Sequence, residues 1–293
     1  MKRMRSVLGA TVIATMAGAA AMGTAGAQKT DSSSGRVAAK IDQDAINALE
    51  KMGTYLRTLK TFQVNATVST EDVLDDGQKV QSTKRVDLVA QRPNRMRVEI
   101  SDERQPRTFY YDGKSFTLWA PTTRFYATVD APPTINELVN QLDEKYDIDV
   151  PFVDLFRWGT PESDVHELTS AMDMGPSAID GVTCEQYLFR QDGLDWQIWI
   201  QNGEFPLPRK LVITTTTDEA RPQHESVYTW NLAPSISDDA FAFAAPPDAK
   251  KINLVEAQAK GLAKLEKQPE KPAEKQPAAK PPQEPRNPRS EDR

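Results

Sequence analysis

Residues 108–119 read TFYYDGKSFTLW, and the order of those side chains decides what kind of fold the chain can make. With Asp112-Gly113 as a two-residue turn, Tyr111 is expected opposite Lys114 and Phe109 opposite Phe116. One face of this hairpin then carries Phe109, Tyr111, Phe116 and Leu118, and the other carries Tyr110, Thr117 and Trp119. A hairpin that is aromatic on both faces must be covered on both, because each exposed ring would leave a large apolar area in water.

The elements on either side agree with a sheet. Upstream, Ile46, Leu49, Met52, Leu56 and Leu59 recur at intervals of three and four, which predicts an amphipathic helix over 42–60. Phe62, Val64, Ala66 and Val68 alternate with polar residues. Val80, Ser82, Lys84, Val86 and Leu88 continue that alternation after a turn at Asp75-Asp76-Gly77, giving a hairpin with one wet face. Met96, Val98 and Ile100 make a third strand beyond the break at Pro93-Asn94, and 125–129 a further short one.

Downstream, Thr134 and Glu137 have capping-box spacing, and Ile135, Leu138, Val139, Leu142 and Tyr146 follow at helical spacing. Pro151 suits the first turn of a second short helix bearing Phe152, Val153, Leu155, Phe156 and Trp158. That helix is so apolar for its length that it must lie against the sheet, an apolar ligand or a partner. Strand signals return at 182–189, 194–201, 209–217 and 225–231, punctuated by Gly181, Asp192-Gly193, Asn202-Gly203 and Pro206 to Pro208. In the second of these strands Trp196, Ile198 and Ile200 share one face. Phe241 and Phe243 close the domain before Pro246-Pro247. The order helix, strands, two helices, strands predicts a mainly β, α+β domain built on one antiparallel sheet.

The two ends of the chain have a different character. Lys2, Arg3 and Arg5 precede an apolar run from Val7 to Met22, and Ala25-Gly26-Ala27 supplies a small-x-small pattern, so a signal peptide over 1–27 is expected, cleaved after Ala27, with export to the periplasm. Residues 28–36 read as a flexible leader and 37–254 as the folded domain. Between Glu256 and Arg293 there are nine Lys or Arg, seven Asp or Glu and seven Pro, with no aromatic residue. Such a segment buries too little apolar surface to fold, so 255–293 is expected to be a disordered tail. It is a solubilising spacer or a tether reaching an envelope partner.

Composition removes several classes of function. Losing the three cations of the leader takes the formal net charge from −6 to −9, which argues against nucleic acid as the partner. No later segment approaches the roughly 18 consecutive apolar residues of a spanning helix, so an integral membrane protein is not expected. The single cysteine, Cys184, has no internal disulfide partner and is expected to be a buried, inert thiol. His166 and His224 lack a second ligand at metal spacing, so no metal and no cofactor are expected. There is no Gly-x-Ser-x-Gly elbow, P-loop, His-Glu-x-x-His or dinucleotide fingerprint, and the carboxylates Asp143, Glu144, Asp147, Asp149 and Asp154 fall where a solvated edge would. An enzyme is therefore not expected.

Several short segments, in order from about 42 to 254, carry a resemblance. They are Tyr110-Tyr111-Asp112-Gly113-Lys114, residues 179–184 (IDGVTC), residues 196–200 (WQIWI), residues 206–211 (PLPRKL), and Phe241-Ala242-Phe243 with Pro246-Pro247. On these the chain resembles the uncharacterised predicted-periplasmic proteins related to the lipoprotein-localisation factors LolA and LolB. The resemblance implies a single curved antiparallel sheet, an unclosed half barrel, with an N-terminal helix and two helices lying across it as a lid. It also implies a cavity for acyl chains, so that the partner would be a lipid or an acylated protein. The chain lacks the anchoring cysteine of the LolB-like receptors, which leaves the soluble carrier side of the comparison.

The residues such a cavity would use are Phe109, Tyr111, Phe116 and Leu118 on the sheet and Ile135, Leu138, Val139, Leu142, Phe152 and Phe156 on the helices. The same side chains are equally suited to pack on one another as a dry core. A second class of function stays open beside the carrier: an envelope protein-interaction or stress-sensing scaffold that uses the tail as its tether. The oligomeric state and the face of the sheet that is concave are not legible.

Overall fold

The structure is a computed structural model, and it describes residues 41–102 and 105–256. The expected signal peptide and leader, and the tail beyond Glu256, lie outside the described residues. Helix α1 (Gln43–Thr58) opens the fold, capped by the Asp42 carboxylate, which accepts from the Asp44 N–H at 3.0 Å. Six strands follow: β1 (Thr61–Val73), β2 (Lys79–Gln91), β3 (Arg95–Ser101), β4 (Arg107–Tyr111), β5 (Ser115–Ala120) and β6 (Phe125–Asp130). Helices α2 (Ile135–Tyr146) and α3 (Asp154–Arg157) and a 3-10 turn at Asp164–Glu167 interrupt the sheet. It resumes with β7 (Ser170–Ile179), β8 (Val182–Gln191), β9 (Leu194–Gln201), β10 (Pro208–Thr215), β11 (Gln223–Asn231) and a last short strand, β12 (Lys250–Lys251).

All twelve strands form one open sheet in the order β12-β6-β5-β4-β3-β2-β1-β11-β10-β9-β8-β7. Two meanders run outward from a central seam, where β1 pairs antiparallel with β11 from Gln63↔Asn231 to Thr70↔His224. The sheet is mixed rather than wholly antiparallel, because β12 runs parallel to β6. The segment before β12 has crossed from the other half of the molecule, and its direction on arrival is set by that crossing rather than by a tight turn.

The register puts Phe62, Val64, Ala66 and Val68 of β1 on the same face as Val86, Leu88 and Ala90 of β2 and Trp230 and Tyr228 of β11. That face, the inner one, continues through Met96, Val98, Phe109, Tyr111 and Phe116 on one side and Leu211, Ile198, Tyr187 and Phe189 on the other. The helices cover it. Ala45, Leu49, Met52 and Leu56 of α1 and Ile135, Leu138, Val139 and Leu142 of α2 join the same buried cluster. The capping box forms as expected, with the Glu137 N–H donating to Thr134 Oγ1 at 3.2 Å and that hydroxyl donating to the Glu137 carboxylate at 2.8 Å.

The outer face is polar, with pairs such as Gln63 Nε2 to Asp87 at 2.9 Å and Thr117 to Thr128 at 2.9 Å. Its exception explains the two-sided aromatic hairpin. Phe243 lies among Tyr110, Trp119 and Tyr126 with ring centroids 5.4, 5.6 and 5.0 Å away. The chain after β11 is therefore a strap across the back of β3 to β6, ending as β12, where the Lys250 N–H donates to the Arg124 carbonyl and so pairs an otherwise open edge.

Three local expectations are corrected. The β4–β5 turn is longer by two residues: Tyr111 faces Phe116 and Phe109 faces Leu118. The Asp112 carboxylate takes the N–H groups of Lys114 at 2.9 Å and Ser115 at 2.8 Å, which keeps those residues out of the β4–β5 pairing. Because the shift is even, the same side chains stay on the same faces. The second helix is a single turn, since Phe152 adopts a left-handed backbone (φ 60°) and helical geometry begins only after it. Strand β7 has no counterpart among the expected strands. Its sequence holds Gly175 and Pro176 and has a bulge between Asp173 and Gly175, features tolerated at a sheet edge, where no outer partner needs every N–H.

Helix α1 meets the segment after α3 backbone to backbone. A Cβ on Gly53 would lie 2.6 Å from the Gly159 nitrogen, and Gly159 itself has φ 74°. Gly53→Ala is expected to force these elements apart and destabilise the fold by about 2 kcal/mol, the usual cost of overpacking. Urea denaturation monitored by tryptophan fluorescence measures it; a stability equal to the parent would refute the contact.

Candidate ligand-binding site

The inner face and its helical cover are fastened most firmly at one end. The Tyr111 hydroxyl donates to the Pro132 carbonyl at 2.5 Å, the Ile135 N–H to the Pro93 carbonyl at 2.9 Å, and Gln141 Nε2 to the Asp130 carbonyl at 3.1 Å. These hold the start and middle of α2 to the sheet half built from β2 to β6. Burial among apolar rings pushes the Tyr111 phenol up to about 12, and the nearby Glu137 and Asp112 carboxylates add to the shift.

Beyond α2 the cover rests mainly on side-chain contacts. Asp147 closes the helix in a left-handed conformation (φ 55°), and the chain then runs past Asp149 and the buried Val150 to Phe152. The Phe152 ring meets Tyr228 edge-on at 5.2 Å. The Phe156 ring lies 6.1 Å from Phe62, and the Arg92 guanidinium sits 5.0 Å from the Phe156 centroid while donating to the Leu155 carbonyl at 3.3 Å. Arg157 Nη2 donates to Asn140 Oδ1 at 3.2 Å and joins α3 to α2.

Where α3 and the 3-10 turn cross β8 to β10, the packing leaves a cleft of about 50 Å³. Trp196, Leu211 and Ile213 form its floor, Trp158 and Val165 its roof, and Asp154, Arg157, Glu162, Ser163 and Gln191 its polar rim. The floor is fixed: Trp196 stacks on Phe189 with centroids 4.3 Å apart and donates Nε1–H to Gln191 at 3.1 Å. Next to this cleft, on β11 and β1, the inner face turns polar. Thr70 Oγ1 lies 3.0 Å from His224 Nδ1, and Ser226 Oγ 3.3 Å from Nε2. Burial, with the positive charge of Lys84 second, holds the His224 imidazole below its usual range and so neutral at pH 7.

With this geometry in view, the sequence comparison decides the family. The profile of a family described as predicted periplasmic protein (DUF2092) matches residues 45–255. The chain belongs to this family. No curated protein matches it. Among solved structures, an uncharacterized conserved protein from Thermus thermophilus is similar at 12% identity and a TM-score of 0.42, over 72% of this chain and 99% of that one. The Mycobacterium tuberculosis lipoprotein LppX is similar at 11% identity and a TM-score of 0.41, over 67% of this chain and 100% of that one. A LolA superfamily protein from Nitrosomonas europaea is similar at 12% identity and a TM-score of 0.31, over 68% of this chain and 97% of that one. The family match spans all of the sheet and its cover, and no helix among the described residues is long and apolar enough to cross a membrane.

In this family member the residues expected to line a cavity are brought together. Phe109, Tyr111, Phe116, Ile135, Leu138, Val139, Leu142 and Phe156 belong to one buried cluster, with Leu118 and Phe152 packed against it. They pack on one another in this closed arrangement. The cleft itself is lined by other residues: Trp196, Leu211 and Ile213, which sequence reasoning puts on strands, Trp158, which it puts on the second short helix, and Val165, which it assigns to no element. The common face of Trp196 and Ile198 is the one signal in the sequence for the floor. Cys184 is fully buried, and burial pushes its thiol up.

The buried phenols give a test of this packing. Tyr187, like Tyr111, is pushed up to about 12, and burial raises Tyr228 as well. A phenol raised in the folded state costs nothing below its unfolded value of about 10, and its protonated form becomes a liability as pH rises through that window. Absorbance titration is expected to leave Tyr111, Tyr187 and Tyr228 un-ionised at about pH 11, with stability falling between about pH 10 and 12. Full ionisation of all seven tyrosines by about pH 11 would refute it.

Proposed function

We propose that this protein is a non-catalytic periplasmic carrier that holds an apolar chain, of a lipid or a lipoprotein, between the inner face of its sheet and the cover made by α2 and α3. The observation that carries this reading is the cover itself. An apolar face spanning both halves of the sheet is closed by short helices anchored by hydrogen bonds at one end and by rings at the other, with a cleft where the ring-held end meets β8 to β10. The family's description as periplasmic supports the compartment.

The energetics favour such a role. Each methylene moved out of water contributes about 0.8 kcal/mol, so a chain of about a dozen carbons is driven in by roughly 10 kcal/mol before the costs of ordering are met. The cleft of about 50 Å³ admits only the first carbons; an apolar cavity of about 150 Å³ is already needed for a benzene ring. Loading therefore requires α3 and the 147–153 loop to lift, which opens the core at Phe152 and Phe156. In this scheme the residues named from the sequence are the chain's seat, and the cleft is its entry.

The protein purified from periplasm is expected to carry phospholipid or acylated peptide, detected by native mass spectrometry and lipid extraction. Ile213→Trp, which fills the cleft from its floor, is expected to weaken binding of a fluorescent fatty acid about tenfold, the scale of losing one or two methylene contacts in a fitted pocket, while leaving the melting temperature near that of the parent. A clean apo mass together with no fatty-acid binding would overturn the carrier.

A further inference from the structure

After covering the aromatic patch of the outer face, the strap turns the edge of β6 and comes round onto the inner cover. The Asp248 carboxylate pairs with the Arg124 guanidinium, the Lys250 N–H donates to the Arg124 carbonyl at 2.8 Å, and the Ile252 N–H donates to the Tyr126 carbonyl at 2.8 Å. Because β12 runs parallel to β6, the chain is carried toward the end of β6 from which residues 131–134 lead into α2. There Leu254 packs against the same buried cluster as α2, and the Glu256 carboxylate pairs with Lys145 Nζ at 2.9 Å in the last turn of that helix.

Pairing of the β6 edge does not call for this return to the core. Of the three apolar side chains in the stretch, Ile252 and Val255 stay exposed, at 45% and 82%, and Leu254 alone is half-buried. Its landing place lies just ahead of the part of the cover that the carrier scheme sets in motion. Asp147, two residues beyond Lys145, ends α2 in the left-handed conformation, and the 147–153 loop and α3 follow. The start and middle of α2 are tied to the sheet by the hydrogen bonds of Ile135, Tyr111 and Gln141. Its last turn is held by the packing of Leu142 and Tyr146 and by the strap.

We infer that residues 252–256 are a clasp that sets the hinge of the cover at Asp147. With Leu254 and Glu256 seated, the loop and α3 lift alone; with them released, the last turn of α2 lifts too and the opening over the core widens. The inference rests on the carrier reading above and names its regulation. The two groups share the hold unequally. Leu254 gives up apolar contact on release and supplies most of it. The Lys145–Glu256 pair, with side chains 45% and 65% exposed, adds little and is weakened by salt. So light a hold opens by local fluctuation, and it governs how often the wider opening forms rather than whether the domain folds.

The test reads α2 by hydrogen–deuterium exchange over 135–142 and 143–148 in the full exported chain, and reads the opening by the exchange rate of a bound fluorescent fatty acid. Leu254→Asp is expected to speed amide exchange over 143–148 about fivefold, the scale of losing one half-buried leucine, with 135–142 unchanged. Ligand exchange is expected to rise by the same factor. Glu256→Gln is expected to raise both rates about twofold, and high salt to bring the parent to that level while leaving the variant where it is. Parental amide exchange over 143–148 in both variants would overturn the clasp and leave the carrier standing. Faster amide exchange with an unchanged ligand rate would overturn its control of the opening. Should Leu254→Asp loosen the whole helix, a Glu256→Gln variant no faster than the parent at low salt would overturn the clasp equally. A parent that binds no fatty acid would overturn the carrier, and the amide rates would still decide whether the strap holds α2.

Discussion

Everything in this protein depends on the phase of the seam between β1 and β11. Those strands are separated by most of the chain, and their antiparallel pairing joins two meanders that would otherwise be two independent half-sheets. The pairing sets Val64 beside Trp230, Ala66 beside Tyr228 and Val68 beside Ser226. A slip of one residue would turn the inner side chains of one half outward, because successive side chains in a strand point to opposite faces. With the phase as it is, one apolar face runs from β6 to β8, and a single set of helices covers it.

The two faces are covered in physically different ways. The outer face needs little cover, since hydrogen-bonded Gln, Asp, Thr and Ser pairs keep it wetted, and the one aromatic patch is met by Phe243 on the closing strap. The strap is fixed at both ends of its crossing, by Arg95 with Asp238 at 2.8 Å and by β12 on the edge of β6. The inner face is covered by helices and loops, tied to a strand backbone at the start of α1, where the Asp42 N–H donates to the Ala171 carbonyl of β7 at 2.9 Å. The contacts of α3 and its flanking loops run through rings, the guanidinium groups of Arg92 and Arg157 and the Gly53–Gly159 approach, a set of contacts that can part without breaking the sheet's ladder. In the proposed carrier that difference separates the part that moves from the part that holds its shape.

Much of this was legible in residue order. The 3.6-residue period of Ile46, Leu49, Met52 and Leu56, the alternation through 62–68 and 80–88, and the capping box at Thr134 and Glu137 each predicted an element that the structure contains, because these are local patterns set by local geometry. The grouping of Phe109, Tyr111, Phe116 and Leu118 on one face of their hairpin also holds, although the turn between its strands is longer than expected. Strand β7 escaped notice because Gly175, Pro176 and the bulge at Asp173 remove the alternation that marks a strand. An edge position tolerates all three.

Residue order by itself therefore determined the number and kind of most elements, the apolar stripe on each, and the change in composition beyond Val255. It determined them because periodicity, caps and turns act over a few residues. Only the tertiary structure decided that β1 and β11 are neighbours, that the cleft joins Trp196 and Ile213 to Trp158 and Val165, and that Lys84, Thr70, His224 and Ser226 meet on one face. Those groupings join residues up to some 150 positions apart, and they follow from strand order and register. Both are set by how two half-sheets bury a common face, which no local pattern records.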